Sequence, residues 1–297
     1  MTGTTGLTGP TGLTGLIGRG RPSADRVPAG TVAPGEQVLP GYVVVGLLGH
    51  GRRMDTYDAL DLDRDCRCVV KVLRADRRDE PRVVEATRRE GEVLRELAHP
   101  HLVRCYEVHD QPPGLVLEVL GGATLAALVE DEPLGLADAA GLGLQLVSVL
   151  GYLHRHDWLH LDVKPANVVV DAGRVTLIDL SLVGRPGEGR PGAGTRGYLA
   201  PEQARGAGLA PATDVWGLGV TLVEALTTEL PHGDEATWDS RPRRRLLHRR
   251  APRPPRLPDG LVPDGVRDLL LGCLDPDPGA RPTLRDVRRA LEPHAHP

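Results

Sequence analysis

His160-Leu161-Asp162-Val163-Lys164-Pro165-Ala166-Asn167 is the stretch on which the reading of this chain turns. It holds Lys164, one of only two lysines in 297 residues, and Asn167, the only asparagine. The other lysine, Lys71, closes the apolar run Val69-Val70-Lys71 far upstream, and the remaining 34 of the 36 basic residues are arginine. Phenylalanine is absent, and isoleucine occurs only as Ile17 and Ile178. Lys, Asn, Phe and Ile share AT-rich codons. The composition therefore reads, as a hypothesis that the gene's codon usage tests, as drift under a GC-rich genome. Under such drift the surviving lysines and asparagine mark positions where no other residue serves.

The bulk numbers set limits. Hydrophobic content of 40% with 26% charged residues is ordinary for a globular protein. A net charge of −4 speaks against a general nucleic-acid binder, so no nucleic-acid partner is expected. No apolar run reaches about 18 residues, so no membrane-spanning segment is expected. The N-terminus lacks the basic patch and apolar core of a secretory leader. Cys66, Cys68, Cys105 and Cys273 form no C-x-x-C pair. Neither a zinc site nor a disulfide framework is expected, and reduced thiols imply a cytoplasmic location.

Outward from the central stretch, the chain divides. Glycine recurs at every third position from Gly3 to Gly18, the period of a collagen strand. The run is short and poor in proline, so residues 1–39 are expected to be a low-complexity, disordered tail. Strand signals start near Tyr42 and continue over 56–62, 66–73, 102–108 and 115–120, with one helix over 81–98 carrying Val84, Val93, Leu94 and Leu97 on one face. From Leu125 the periodicity is helical, over 137–156, 214–229, 265–274 and 283–292. Between these helices, Val168 to Val170 and Val175 to Ile178, joined by Asp171-Ala172-Gly173, read as a hairpin. The expected fold is α+β: a small β-rich lobe over 40–120, a larger helical lobe over 121–292 and a short tail over 293–297.

The central stretch resembles the catalytic loop of the Hanks-type (eukaryotic-like) serine/threonine protein kinases. Asp179-Leu180-Ser181 stands where that family has Asp-Phe-Gly, and Ala200-Pro201-Glu202 matches the motif closing its activation segment. Asp214-Val215-Trp216-Gly217-Leu218-Gly219 and Arg281-Pro282 match later landmarks, and Val70 to Asp76 looks like the bacterial branch. The resemblance covers about 41–292 and implies a two-lobed kinase fold. It also implies transfer of the γ-phosphate of ATP, with Mg2+ (or Mn2+ in its place), to protein hydroxyls.

On that resemblance each residue receives a role. Gly49 and Gly51 would form the hairpin over the phosphates, where missing side chains let backbone N–H groups approach. Lys71 would hold the α- and β-phosphates and pair with Glu90, with Glu92 as the competing candidate. Asp162 would accept or orient the substrate hydroxyl proton, and Lys164 would stabilise the transferring phosphate. Asn167 and Asp179 would bind the metal. Leu48, Thr56, Val69, the gatekeeper Leu117, the backbone of Glu118 to Leu120, and Val169 as floor would enclose the adenine.

Several positions depart from the family. Met54 replaces the third glycine, Thr56 the roof valine, and Leu180-Ser181 the Phe-Gly pair. Leu161 replaces the arginine that ordinarily receives a phosphorylated activation loop. Between Asp179 and Glu202 the only hydroxyls are Ser181, Thr195 and Tyr198, so activity without activation-loop phosphorylation is expected. The alternative is a pseudokinase that binds nucleotide or a partner without transfer. The arginine-rich run 241–256 reads as a solvated insertion, or more sharply as a dock for an acidic protein substrate.

Overall fold

Alternation with period two builds the first layer. The computed structural model describes residues 28–187, 189–233 and 256–295. Within them, β1 (Gln37–Leu39), β2 (Tyr42–His50), β3 (Met54–Asp61), β4 (Cys66–Leu73), β5 (Cys105–Asp110) and β6 (Pro113–Leu117) form a six-stranded sheet. Its order is β1-β2-β3-β4-β6-β5, and every pair is antiparallel. In β3 the residues Asp55, Tyr57, Ala59 and Asp61 are buried and their neighbours are not. Tyr57 and Ala59 pack with Val44, Cys68, Val70 and Val72 in one apolar cluster. Val69, Leu115 and Leu117 join a second cluster with Val93 and Leu94 of α1 (Pro81–Glu96). α1 approaches the sheet closely at Gly91, where a Cβ would lie 2.7 Å from Val108 Cγ1 and 2.9 Å from Leu115 Cδ2.

The tail expected over 1–39 is corrected at its end. β1 pairs with β2, and the Val32 amide donates to the Tyr57 hydroxyl at 3.0 Å, so the ordered lobe begins before residue 40. Residues 1–27 lie outside the described residues, as do 296–297 of the expected C-terminal tail. The strands expected over 102–108 and 115–120 also shift. Leu102 leaves the sheet to bridge Leu177, and the Val103 amide donates to the Leu177 carbonyl at 3.0 Å.

The second layer contains β7 (Ala123–Thr124), α2 (Leu125–Leu128), α3 (Leu136–Arg155), β8 (Val168–Asp171) and β9 (Arg174–Leu177). It continues with α4 (Pro201–Arg205), α5 (Pro211–Thr227), α6 (Asp264–Cys273) and α7 (Leu284–Leu291). The β8–β9 hairpin turns through Ala172 and Gly173 at φ 46° and 81°, as a two-residue hairpin loop demands. Between Thr213 and Leu226, α5 is buried at every position except Glu224, which makes it the axis of the lobe. It starts earlier than position 214 because Pro211 presets the first turn and the Ala210 amide is capped by the Thr213 hydroxyl at 3.1 Å. α3 is long and apolar enough to cross a membrane by length and composition. Its apolar positions Leu142, Leu146, Leu150 and Leu153 are instead packed in this lobe's core.

Candidate active site

The site lies where the two layers meet, and its first anchor is Lys71. On β4, Lys71 stands opposite Thr56 of β3 and Leu115 of β6. Its ammonium donates to Glu90 Oε1 of α1 at 2.8 Å and to Asp179 Oδ1, just past β9, at 3.1 Å. The structure thus decides between the two glutamates: Glu90 is 1% exposed, while Glu92 faces solvent. Burial works to lower the Lys71 ammonium, but the Asp179 and Glu90 carboxylates hold it above the usual lysine range. Burial also pushes the Glu90 carboxyl up, with Asp179 adding to it against Lys71. For Asp179 the same burial is outweighed by Lys71 and the Ser181 hydrogen bonds, which hold it well below the carboxylate range.

The second anchor is the central stretch. Leu161 sits at φ 65° and Asp179 at φ 66°, a region non-glycine residues avoid unless the surroundings impose it. At Leu161 the imposing group is Asp214 of α5, whose carboxylate accepts the His160 amide at 2.9 Å and the Leu161 amide at 2.8 Å. His154 Nε2 lies 2.8 Å from the same carboxylate. Asp214 is fully buried; burial would raise it, and His154 with the backbone amide holds it low.

Around Asp162 the polar groups converge. Lys164 Nζ donates to Asp162 Oδ2 and to the Thr195 hydroxyl, both at 2.6 Å, and Thr195 donates to Asp162 Oδ1 at 2.8 Å. Asn167 Nδ2 donates to the Asp162 carbonyl at 2.9 Å and to its Oδ2 at 3.0 Å. The carbonyl acceptor fixes the amide orientation, so Asn167 Oδ1 is the atom left for a ligand. Gln203 of α4 donates to the carbonyls of Leu161 (2.6 Å) and Ala193 (2.8 Å), tying this stretch to the segment leading into Ala200-Pro201-Glu202.

The residues expected around the adenine are distributed over both layers. Val69 and Leu117 are register partners, and Leu48 and Leu120 pack against the same cluster. Thr56 lies opposite Gly49. A Cβ at Gly49 would meet nothing within 4 Å, whereas one at Gly51 would meet the Met54 carbonyl at 2.8 Å. Gly51 is therefore demanded by the turn itself, and Gly49 leaves open space. The Glu118 carboxylate accepts the Arg104 amide at 2.8 Å and faces the β5 side. Val169 is buried on β8 opposite Thr124 and Thr176. Ser181 is not in the left-handed region, so serine costs nothing there, and Leu180 is buried in the same cluster as Leu94.

Two supports went unassigned in the sequence, the clamp at Asp214 and the Gln203 bridge. An aspartate inside an otherwise apolar helix was the available signal for the first. The arginine-rich run 241–256 lies outside the described residues except Arg256.

Residues 42–291 match the family described as the protein kinase domain. The serine/threonine-protein kinase PkaA of Streptomyces coelicolor is 31% identical over 75% of this chain and 42% of its own length. The serine/threonine-protein kinase PrkC of Bacillus subtilis is 27% identical over 82% of this chain and 39% of its own. The SNF1-related protein kinase catalytic subunit alpha KIN12 of Arabidopsis thaliana is 32% identical over 67% and 42%. The chain thus spans about two fifths of the length of these curated relatives.

Proposed function

Because the chain belongs to the protein kinase domain family, in its Hanks-type bacterial branch, we propose that it transfers the γ-phosphoryl group of ATP to serine or threonine hydroxyls of proteins. The observation that carries this reading is two hydrogen-bonded groups, Lys71 with Glu90 and Asp179, and Asp162 with Lys164 and Asn167, on segments joined by the Ile178 amide donating to the Asn167 carbonyl at 2.9 Å. Nothing in that geometry favours a pseudokinase, since each charge that phosphoryl transfer calls for has its partner.

Phosphoryl transfer asks for charge placement and in-line positioning more than covalent help. Lys71 is placed by Glu90 and Asp179 to meet the α- and β-phosphates. Its third N–H has no partner among the described residues and points to the role of phosphate donor. Lys164 spreads its charge over the transferring phosphoryl while holding Asp162 and Thr195. Asp162 orients the incoming hydroxyl and receives its proton. Oxygens of Asn167 and Asp179 are hard donors that fit Mg2+. Among the described residues no cluster of three His, Cys, Asp or Glu could hold a metal unaided. Such a pair fits a magnesium that enters with the nucleotide phosphates. When bound, the metal neutralises charge on the β- and γ-phosphates. Four unpaired cysteines fit a cytoplasmic setting.

The test incubates wild-type and Asp162→Ala protein with labelled ATP, magnesium and a basic protein substrate. Label on serine or threonine with the wild type alone is expected. Equal labelling by both, or by neither, sinks the reading.

A further inference from the structure

The β2–β3 hairpin lacks its third family glycine, yet one side chain outside it grips its tip. The guanidinium of Arg74, just past β4, is divided between two sides. Nε and Nη2 donate to the two oxygens of Asp76 at 3.0 and 3.2 Å. Nη1 donates to His50 Nε2 at 2.7 Å and to the Gly51 carbonyl at 3.1 Å. His50 Nδ1 in turn lies 2.7 Å from Asp55 Oδ1, a carboxylate buried in β3. With Nε2 accepting from Arg74, Nδ1 carries the proton and donates to Asp55, so His50 bridges the two strands as a neutral imidazole. The hairpin is also held from the helix side. The Thr87 hydroxyl of α1 lies 3.7 Å from Met54 Sδ, one turn before Glu90.

We infer that Arg74 is a positioning residue for nucleotide, acting through His50 and the Gly51 carbonyl to hold the glycine hairpin down over the triphosphate. The inference rests on the phosphotransfer reading for its kinetics and on geometry alone for the latch. A glycine-rich tip gains closeness to phosphate at the cost of backbone entropy. A planar guanidinium anchored on Asp76 offsets that cost, because its fork is preorganised and bridges both sides at once. Lysine could supply the charge but not the fork. Arg74 also donates its backbone amide to the Arg53 carbonyl at 2.9 Å, a bond that survives side-chain truncation, so the variants keep the strand ends together.

The experiment uses the full chain with Arg74→Ala, His50→Ala, the double variant and Arg74→Lys. It measures KM for ATP, kcat and, without nucleotide, hydrogen exchange of the amides of residues 49–54. Each alanine variant is expected to raise KM roughly five- to tenfold with little change in kcat, as loss of the solvent-exposed hydrogen bonds that hold the hairpin tip implies. Exchange at the hairpin should accelerate by a similar factor. The double variant should be no worse than the poorer single, the signature of one shared network. Unchanged KM and exchange, fully multiplicative singles, or complete rescue by Arg74→Lys would each overturn the latch. If the wild type transfers no phosphate, the functional reading fails, and the exchange arm still decides the latch.

Discussion

Two buried glutamates face two cations, one half-buried and one buried, at nearly the same distance, and they serve different ends. Glu90 meets Lys71 at 2.8 Å; Glu202 meets Arg281 at 2.7 and 2.9 Å. The Arg281 guanidinium also donates to the carbonyls of Asp275 and Ala212, both at 2.8 Å, and lies 5.0 Å over the Trp216 ring. Its side chain is wholly buried, and the bidentate pair knits α4 to the segments around α5 and α6. Lys71 is 13% exposed, shares its ammonium between two carboxylates and keeps one donor toward the site. A buried fork with four of its five N–H groups bonded makes a structural staple, while a partly exposed point charge with a donor left free among the described residues remains available to a ligand. The carboxyl shifts record the contrast. Against the cost of burial, Arg281 brings Glu202 below its ordinary value, whereas burial and Asp179 leave Glu90 above it.

The largest effect should fall on Asp162, where the polar partners of the site converge. Asp162→Asn should lower kcat on the order of 10²–10⁴-fold with little change in melting temperature, measured by steady-state kinetics and calorimetry. Next, Lys71→Met should lower kcat/KM for ATP by about 10²–10³-fold. It should leave the fold intact, because Glu90 takes up a proton once its cation is gone. A collapse of the fold in Lys71→Met would erase the distinction between the two pairs.

Arg281→Ala should do the reverse. Breaking this buried pair should cost about 3–5 kcal/mol and lower the melting temperature by about 10 °C. The activity per folded molecule should remain close to wild type below the transition.

Acid sharpens the comparison further. The folded-state value of Glu202 is depressed, so its contribution is present above its unfolded value of 4.5 and is lost as pH falls through the folded value. Glu90 has the opposite sign: the stability carried by its protonated form is present below 4.5 and is lost as pH rises through its raised folded value. Melting temperatures followed downward from pH 5 should fall more steeply in the wild type than in Glu202→Gln. Equal slopes would show that the Arg281 pair does not carry the shift.

The smallest expected effect is none at all. Phosphatase treatment should leave activity unchanged, since the Thr195 hydroxyl is already bonded to Asp162 and Lys164 and the Tyr198 hydroxyl donates to Glu224 at 2.6 Å. In place of an arginine and a phosphate, Leu161 packs 3.4 Å from where a Gly184 Cβ would stand. Arg185 stacks 3.7 Å over Trp158 and donates to the carbonyls of His156 and Asp157. Loss of activity on dephosphorylation, with a phosphosite between 182 and 198, would contradict this.

Much of the site was legible because its chemistry tolerates few residue types. Lys71, Lys164 and Asn167 stood out by rarity, and Asp162 and Asp179 by their place in ordered motifs. Elsewhere local patterns ran out. Glu90 and Glu92 are two residues apart on one helix, and only packing against the sheet buries one and leaves the other in water. The strand expected from Leu102 begins at Cys105, because Leu102 and Val103 bond to β9, some seventy residues away in the chain.

The sequence by itself determined the two-lobed order of elements and the amine and amide positions. Each follows from residue type and spacing, which are local quantities. Tertiary structure alone decided which carboxylate neutralises Lys71, that Asp214 holds Leu161 at positive φ, that the first strand starts at Gln37, and that Arg74 grips the glycine hairpin. Those outcomes depend on burial and on bonds between residues distant in the chain. The energy of a charge or an unpaired amide is set by what packs against it, and only the folded chain supplies that neighbour.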